Sequence, residues 1–195
     1  MGGFTNLLAT QPLERVYLSH AKSSSPFQKI VLAELAKRGK LQHTVSAGDT
    51  LGPWKVLHPA PADDFSKSTD DALVLRGEFH GVRVLLLSDI GSDGCQAMIA
   101  SKADLRADIV VAAIPSYGEP LNAGLLRFIQ PRVIIIHDSK YPIADRASAK
   151  LLKRLRDSGV EVFSVRQEKG IRLTITRGGW RLENSTGVLW RSRKK

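Results

Sequence analysis

The sequence predicts an α/β protein, a layered sandwich of mixed β-sheets with flanking helices outside them. Three observations carry this. Strand-like and helix-like segments alternate from about residue 82 to 165, the pattern of consecutive βαβ units. Antiparallel hairpin signals stand at both ends of that stretch, which fits two mixed layers better than one doubly wound sheet. Between them Val82, Val84, Leu85, Leu86 and Leu87 make a strand that is apolar on both faces and expects cover on each side.

Taken in order, residues 5–9 read as a short helix and 15–19 as a short strand. Ser23, Ser24, Ser25 and Pro26 open the next helix, because serine caps an N-terminus and proline fits the first turn. Phe27, Ile30, Val31, Leu32 and Leu35 then recur at helical spacing until Gly39 stops it. Segments 41–46 and 54–57 read as strands around a turn at Ala47, Gly48 and Asp49, and 59–69 as a polar loop. Segments 72–79 and 82–88 pair as a hairpin across His80 and Gly81. A helix over 93–101 leads to a strand over 108–112, and a helix over 121–130 to a strand over 132–136. The helix over 144–157 ends at Gly159 and passes into a strand over 160–165. Strands over 171–176 and 180–183 pair across Gly178 and Gly179, leaving 185–195 as a basic tail behind a domain over 1–184.

Composition narrows the function classes. A chain of 195 residues with 43% hydrophobic and 25% charged residues is neither disordered nor fibrous and can bury its own core. Cys95 stands alone, so an internal disulfide is excluded. No apolar run approaches the roughly 18 residues of a membrane span. The first residues have neither a basic nor an apolar region, so nothing in them is expected to direct secretion, and the compartment is left open. The 29 Lys and Arg against 19 Asp and Glu give a net charge of +10, which favours a polyanionic partner. The excess falls late, on Lys150, Lys153, Arg154 and Arg156, then on Arg172, Arg177, Arg181, Arg191, Arg193, Lys194 and Lys195. Lys150 and Arg154 share a helical face by spacing, as do Lys153 and Arg156. Such a run reads either as a solvated face or as a phosphate-binding one, and charge alone does not choose.

Several phrases in one order carry a resemblance. They are Ser68, Thr69, Asp70, Asp71 and Ala72 before the first hairpin strand, and Leu85, Leu86, Leu87, Ser88, Asp89 and Ile90 at the end of the second. Ala103, Asp104, Leu105, Arg106, Ala107 and Asp108, then Ile114, Pro115, Ser116, Tyr117 and Gly118, then 129–136 and the final hairpin follow. This order resembles the later half of the metallo-β-lactamase-fold domain of ComEC-type competence proteins, across about residues 1–183. The resemblance implies a partial αββα sandwich and a role in DNA uptake, with zinc or manganese as the intact family's cofactor. It also implies that the family's HxDxDH loop would stand just before Gly2 and Gly3, so that the first strands and the metal loop are expected from another segment or chain.

By the same resemblance, Asp89 holds the place of a metal ligand. Ser116, Tyr117 and Gly118 stand where the family has a His-His-Gly phrase, Tyr141 where it has the histidine of Gly-His-Pro, and Asp70 and Asp71 where it has an Asn-Asn pair. A catalytic zinc site needs about three protein ligands and a water, so Asp89 alone is expected to be vestigial and this chain to carry no cofactor. His20, His43, His58, His80 and His137 show no HxH or HxxxH spacing that would replace the set. A triad of Ser116, His137 and Asp138 lacks the glycines of a nucleophile elbow, and Cys95 reads better as a buried thiol than as a nucleophile. The expectation is a degenerate module that contacts DNA without reading sequence, through Lys150, Lys153, Arg154, Arg156, Arg191, Arg193, Lys194 and Lys195. The alternative is a metal-dependent, nuclease-like hydrolase completed by the missing loop.

Overall fold

The computed structural model describes residues 4–22, 25–39, 41–115 and 121–192. The chain opens with α1 (Phe4–Thr10), β1 (Val16–Leu18), α2 (Pro26–Ala36) and β2 (Gln42–Thr44). β1 and β2 pair in parallel with α2 as their crossover, over a small buried cluster of Leu8, Val31, Leu35 and Leu41. Proline in the first turn and apolar residues at helical spacing build α2 as its sequence predicts.

A mixed sheet of seven strands follows. Its antiparallel half is β3 (Thr50–Leu51), β4 (Trp54–His58), β5 (Val74–Phe79) and β6 (Val82–Ser88). His80 and Gly81 join β5 to β6 with φ of +50° and +76°, the left-handed pair that a two-residue hairpin turn requires. The parallel half adds β7 (Ile109–Ala113), β8 (Val133–His137) and β9 (Glu161–Ser164). These are linked by α3 (Ser92–Ala100), α4 (Ala123–Ile129) and α5 (Ala149–Asp157). A short α6 (Val165–Glu168) then leads to a separate antiparallel sheet of β10 (Arg172–Thr176), β11 (Gly179–Asn184) and β12 (Gly187–Arg191).

Alternation along β6 explains the layers. Leu85 and Leu87 face the helix side with Met98, Leu125, Ile129, Leu152 and Leu155. Val82 and Val84 join the opposite cluster, which brings Ile109, Val133 and Ile135 of the main sheet against Trp180 and Leu182 of the small one. The strand is therefore covered on both faces, the cover that its double-sided apolar pattern expects. The small sheet supplies that cover. Trp180 and Trp190, ten positions apart, stack with ring centroids 4.0 Å apart, and the Arg132 guanidinium lies 5.8 and 5.5 Å from the two rings. Trp54 meets Phe79 edge-on at 5.2 Å. The tryptophans anchor the interface between the sheets.

Residues 42–44 and 54–58, read as strands around one turn, lie in different sheets, β2 pairing with β1 and β4 with β3, and two further departures concern the basic segments. The segment 144–157 is not one helix: a short turn at Ile143–Asp145 comes first, and α5 starts only after Ser148, whose hydroxyl accepts the Leu151 N–H at 3.1 Å. A serine with that geometry is a strong helix cap, so the helix begins at it. The segment read as a basic tail contains β12. Asn184 builds the turn before that strand, its Oδ1 accepting N–H groups from Thr186 and Gly187 at 2.9 and 3.0 Å. Among the described residues no helix is long and apolar enough to cross a membrane.

Candidate functional site

A cleft of about 580 Å³ opens at the C-terminal ends of β1 and β6, with Tyr17, His20, Gln28, Thr69, Ser88 and Asp89 among its lining. Local geometry puts Asp89 there. The β6–β7 register slips between Leu86 and Ser88, and Ser88 takes the left-handed region at φ +54°, turning the chain off the sheet. The Ser88 hydroxyl then donates to Asp89 Oδ1 at 3.0 Å. Among the described residues no three His, Cys, Asp or Glu side chains converge so as to hold a metal ion. The donors of the described residues thus do not fit the dinuclear centre that the family resemblance implies.

Asp70 and Asp71 have other duties. Asp70 is buried, and its Oδ1 accepts the N–H groups of Asp93 and Gly94 at 3.0 and 3.1 Å, capping α3 from 23 residues away. The glycines at 91 and 94 permit that approach, since a Cβ at either would collide with Asp70. His58, also buried, donates its Nε2–H to the Asp70 carbonyl at 2.6 Å. Asp71 is buried too, with one oxygen lacking a hydrogen bond, and burial raises its pKa. His20 Nε2 lies 3.5 Å from that oxygen and donates to the Asp63 carbonyl at 2.8 Å, tying β1 to the 59–71 loop. His58 Nδ1 lies 3.6 Å from Asp63 Oδ2, and nothing in local sequence spacing announces that His20 and Asp71 join this pair, because they meet it only through the fold.

At the β8 edge, His137 is exposed and Asp138 buried. Both Asp138 oxygens are committed: Oδ1 accepts from Ser164 Oγ at 2.6 Å and from the Arg166 N–H at 3.2 Å. Oδ2 accepts from Arg166 Nε at 3.1 Å and from the Ala147 N–H at 3.3 Å. Burial alone would push this carboxyl up, but those hydrogen bonds outweigh it and hold its pKa below the usual value. Asp138 is therefore a tie between β8, α6 and the turn before α5 rather than a triad member. Tyr141 is 72% exposed, with Lys140 Nζ 5.7 Å from its ring centroid. Ser116, Tyr117 and Gly118 lie outside the described residues.

Cys95 is buried in the first turns of α3, and desolvation, helped by the Asp70 charge, pushes its pKa up to about 11. The helix N-terminus does not compensate. Native protein at pH 8 is expected to leave Cys95 unlabelled by a thiol reagent over minutes, whereas unfolded chain labels fully; equal rates in both states would contradict the burial.

The basic residues divide. Lys150, Lys153 and Arg156 are exposed on α5, with Lys153 Nζ 2.7 Å from Asp157. Arg154 does not share that surface: half-buried, its Nη1 donates to the Leu121 carbonyl at 3.0 Å and fastens α5 to the start of α4. Arg191 is exposed on β12, directly opposite Arg181. Arg193, Lys194 and Lys195 lie outside the described residues, as do Ser23 and Ser24. No protein-family model matches the chain, and no curated protein matches its sequence.

Proposed function

We propose that this chain is a degenerate module of the ComEC-like metallo-β-lactamase kind, associated with DNA uptake. It contacts nucleic acid through phosphates and performs no metal-dependent catalysis by itself. The donor set of the cleft supports this reading: among the described residues Asp89 stands there without the two further ligands that a catalytic zinc site needs. The exposed cations of α5 supply the contact, and phosphate contacts position a protein without reading bases. The test is Lys150→Gln, Lys153→Gln and Arg156→Gln combined, with duplex DNA of two unrelated sequences titrated by fluorescence anisotropy. Affinity for both is expected to fall at least tenfold, and the slope of log K against log salt to flatten by about 2 to 3. Unchanged affinity and slope would remove α5 from the contact.

A second reading, a hydrolase completed by a metal-binding segment from outside the described chain, is favoured by one observation: His20 and Asp89 line the same cleft. Phosphodiester cleavage that appears only when such a segment and manganese or zinc are added, and that Asp89→Asn abolishes, would establish it.

A further inference from the structure

A different cleft lies between the turn that enters α5, the first turns of α5, and α6. It encloses about 710 Å³, within the roughly 300–1,000 Å³ of small-molecule sites. Arg146, Lys153, Arg156 and Arg166 line it over an apolar floor of Ala147 and Leu152, and no carboxylate is part of the lining. Two of these cations are compensated from outside the cleft, Arg166 by Asp138 at 3.1 Å and Lys153 by Asp157 at 2.7 Å. Arg146 and Arg156 have no ion-pair partner among the described residues. Guanidinium groups that border one concavity repel each other, and an anion relieves that repulsion.

We propose that this cleft binds a phosphomonoester, the terminal phosphate of a nucleoside monophosphate or of a 5′-phosphorylated strand. The strand-end source rests on the nucleic-acid reading above; the phosphate site does not. Charge and shape select the ligand. A phosphomonoester carries about −1.5 to −2 charges near neutrality, matching two uncompensated guanidinium groups, whereas a bridging phosphodiester carries one. The planar guanidinium fork pairs two phosphate oxygens at once, which an ammonium does not. Asp138 holds Arg166 by its Nε, fixing the plane of that guanidinium at the cleft wall. Ile143, 72% exposed at the rim, offers apolar surface to the sugar or base behind the phosphate.

The test titrates the full chain with inorganic phosphate, thymidine 5′-monophosphate and thymidine by calorimetry. A 12-nucleotide strand with and without its 5′-phosphate is followed by anisotropy. Both phosphates are expected to bind and thymidine not to. The 5′-phosphorylated strand is expected to bind at least tenfold tighter than its unphosphorylated twin. Arg146→Gln with Arg156→Gln is expected to abolish that preference and to weaken thymidine monophosphate binding about 30-fold at an unchanged melting temperature. Arg127→Gln, the same charge change on α4, is expected to leave both intact. Equal binding of thymidine and its monophosphate, or full phosphate affinity in the double variant, would overturn the site. Duplex binding without any 5′-phosphate preference would remove the strand-end source alone. Retained monophosphate binding in a chain that binds no DNA would leave the phosphate site standing and sink the nucleic-acid reading.

Discussion

Asp138→Ala is expected to cost about 3 kcal/mol at pH 7, because it leaves Arg166, Ser164 and the Ala147 N–H without their shared acceptor. In a domain of this size that lowers the melting temperature by roughly 6–12 °C. The pH dependence follows from the direction of the shift. The folded pKa lies below the unfolded one, so the stabilisation is fully present above the unfolded value of about 3.9 and is lost as pH falls through the folded value. The gap between wild type and Asp138→Ala is thus expected to be widest at neutral pH and to narrow below about pH 4. Thermal melts at pH 7 and pH 3 check this. A gap that stayed constant, or that widened in acid, would contradict the assignment.

Trp180→Ala is expected to cost about 4 kcal/mol, the usual loss for a buried tryptophan. The residue is 5% exposed, stacks on Trp190 and sits beneath Arg132 where the two sheets meet. Trp190 is only half-buried, so Trp190→Ala is expected to cost about half as much. Urea titrations of both variants, with near-ultraviolet circular dichroism as the probe of tryptophan packing, give the comparison. A cost below 1 kcal/mol for Trp180→Ala would mean that the small sheet does not depend on this contact.

Those two residues also show where sequence patterning ends. The double-sided apolar run at 82–87, the His80 and Gly81 turn and the β-branched strand ending at Ile136 are legible because each is set by neighbours in the chain. Asp138 is different: its role depends on Ser164 and Arg166, which approach only when β8 and β9 pair. Trp180 and Trp190 look dispersed in the sequence and are brought together by the β11–β12 register. Ser148 is legible locally only as a candidate, since serine favours the N-cap but Ala144 and Ala147 before it suit a helix equally well; its hydroxyl on the Leu151 N–H decides the start of α5. Asp70, a site position only by the family resemblance, caps a helix 23 residues ahead. The phosphate cleft draws Arg146 and Arg166 from separate segments, and of its cations only Lys153 and Arg156 stand out as a sequence cluster.

We propose that this chain holds DNA by phosphate contact and without a metal. The measurement that tests it most directly is the salt dependence of wild-type binding to a duplex in the presence of excess EDTA. The expected result is sequence-independent binding whose log K falls with log salt at a slope of about −3, one contact for each of Lys150, Lys153 and Arg156. Binding that vanishes in EDTA and returns with zinc or manganese, or that is insensitive to salt, would contradict it.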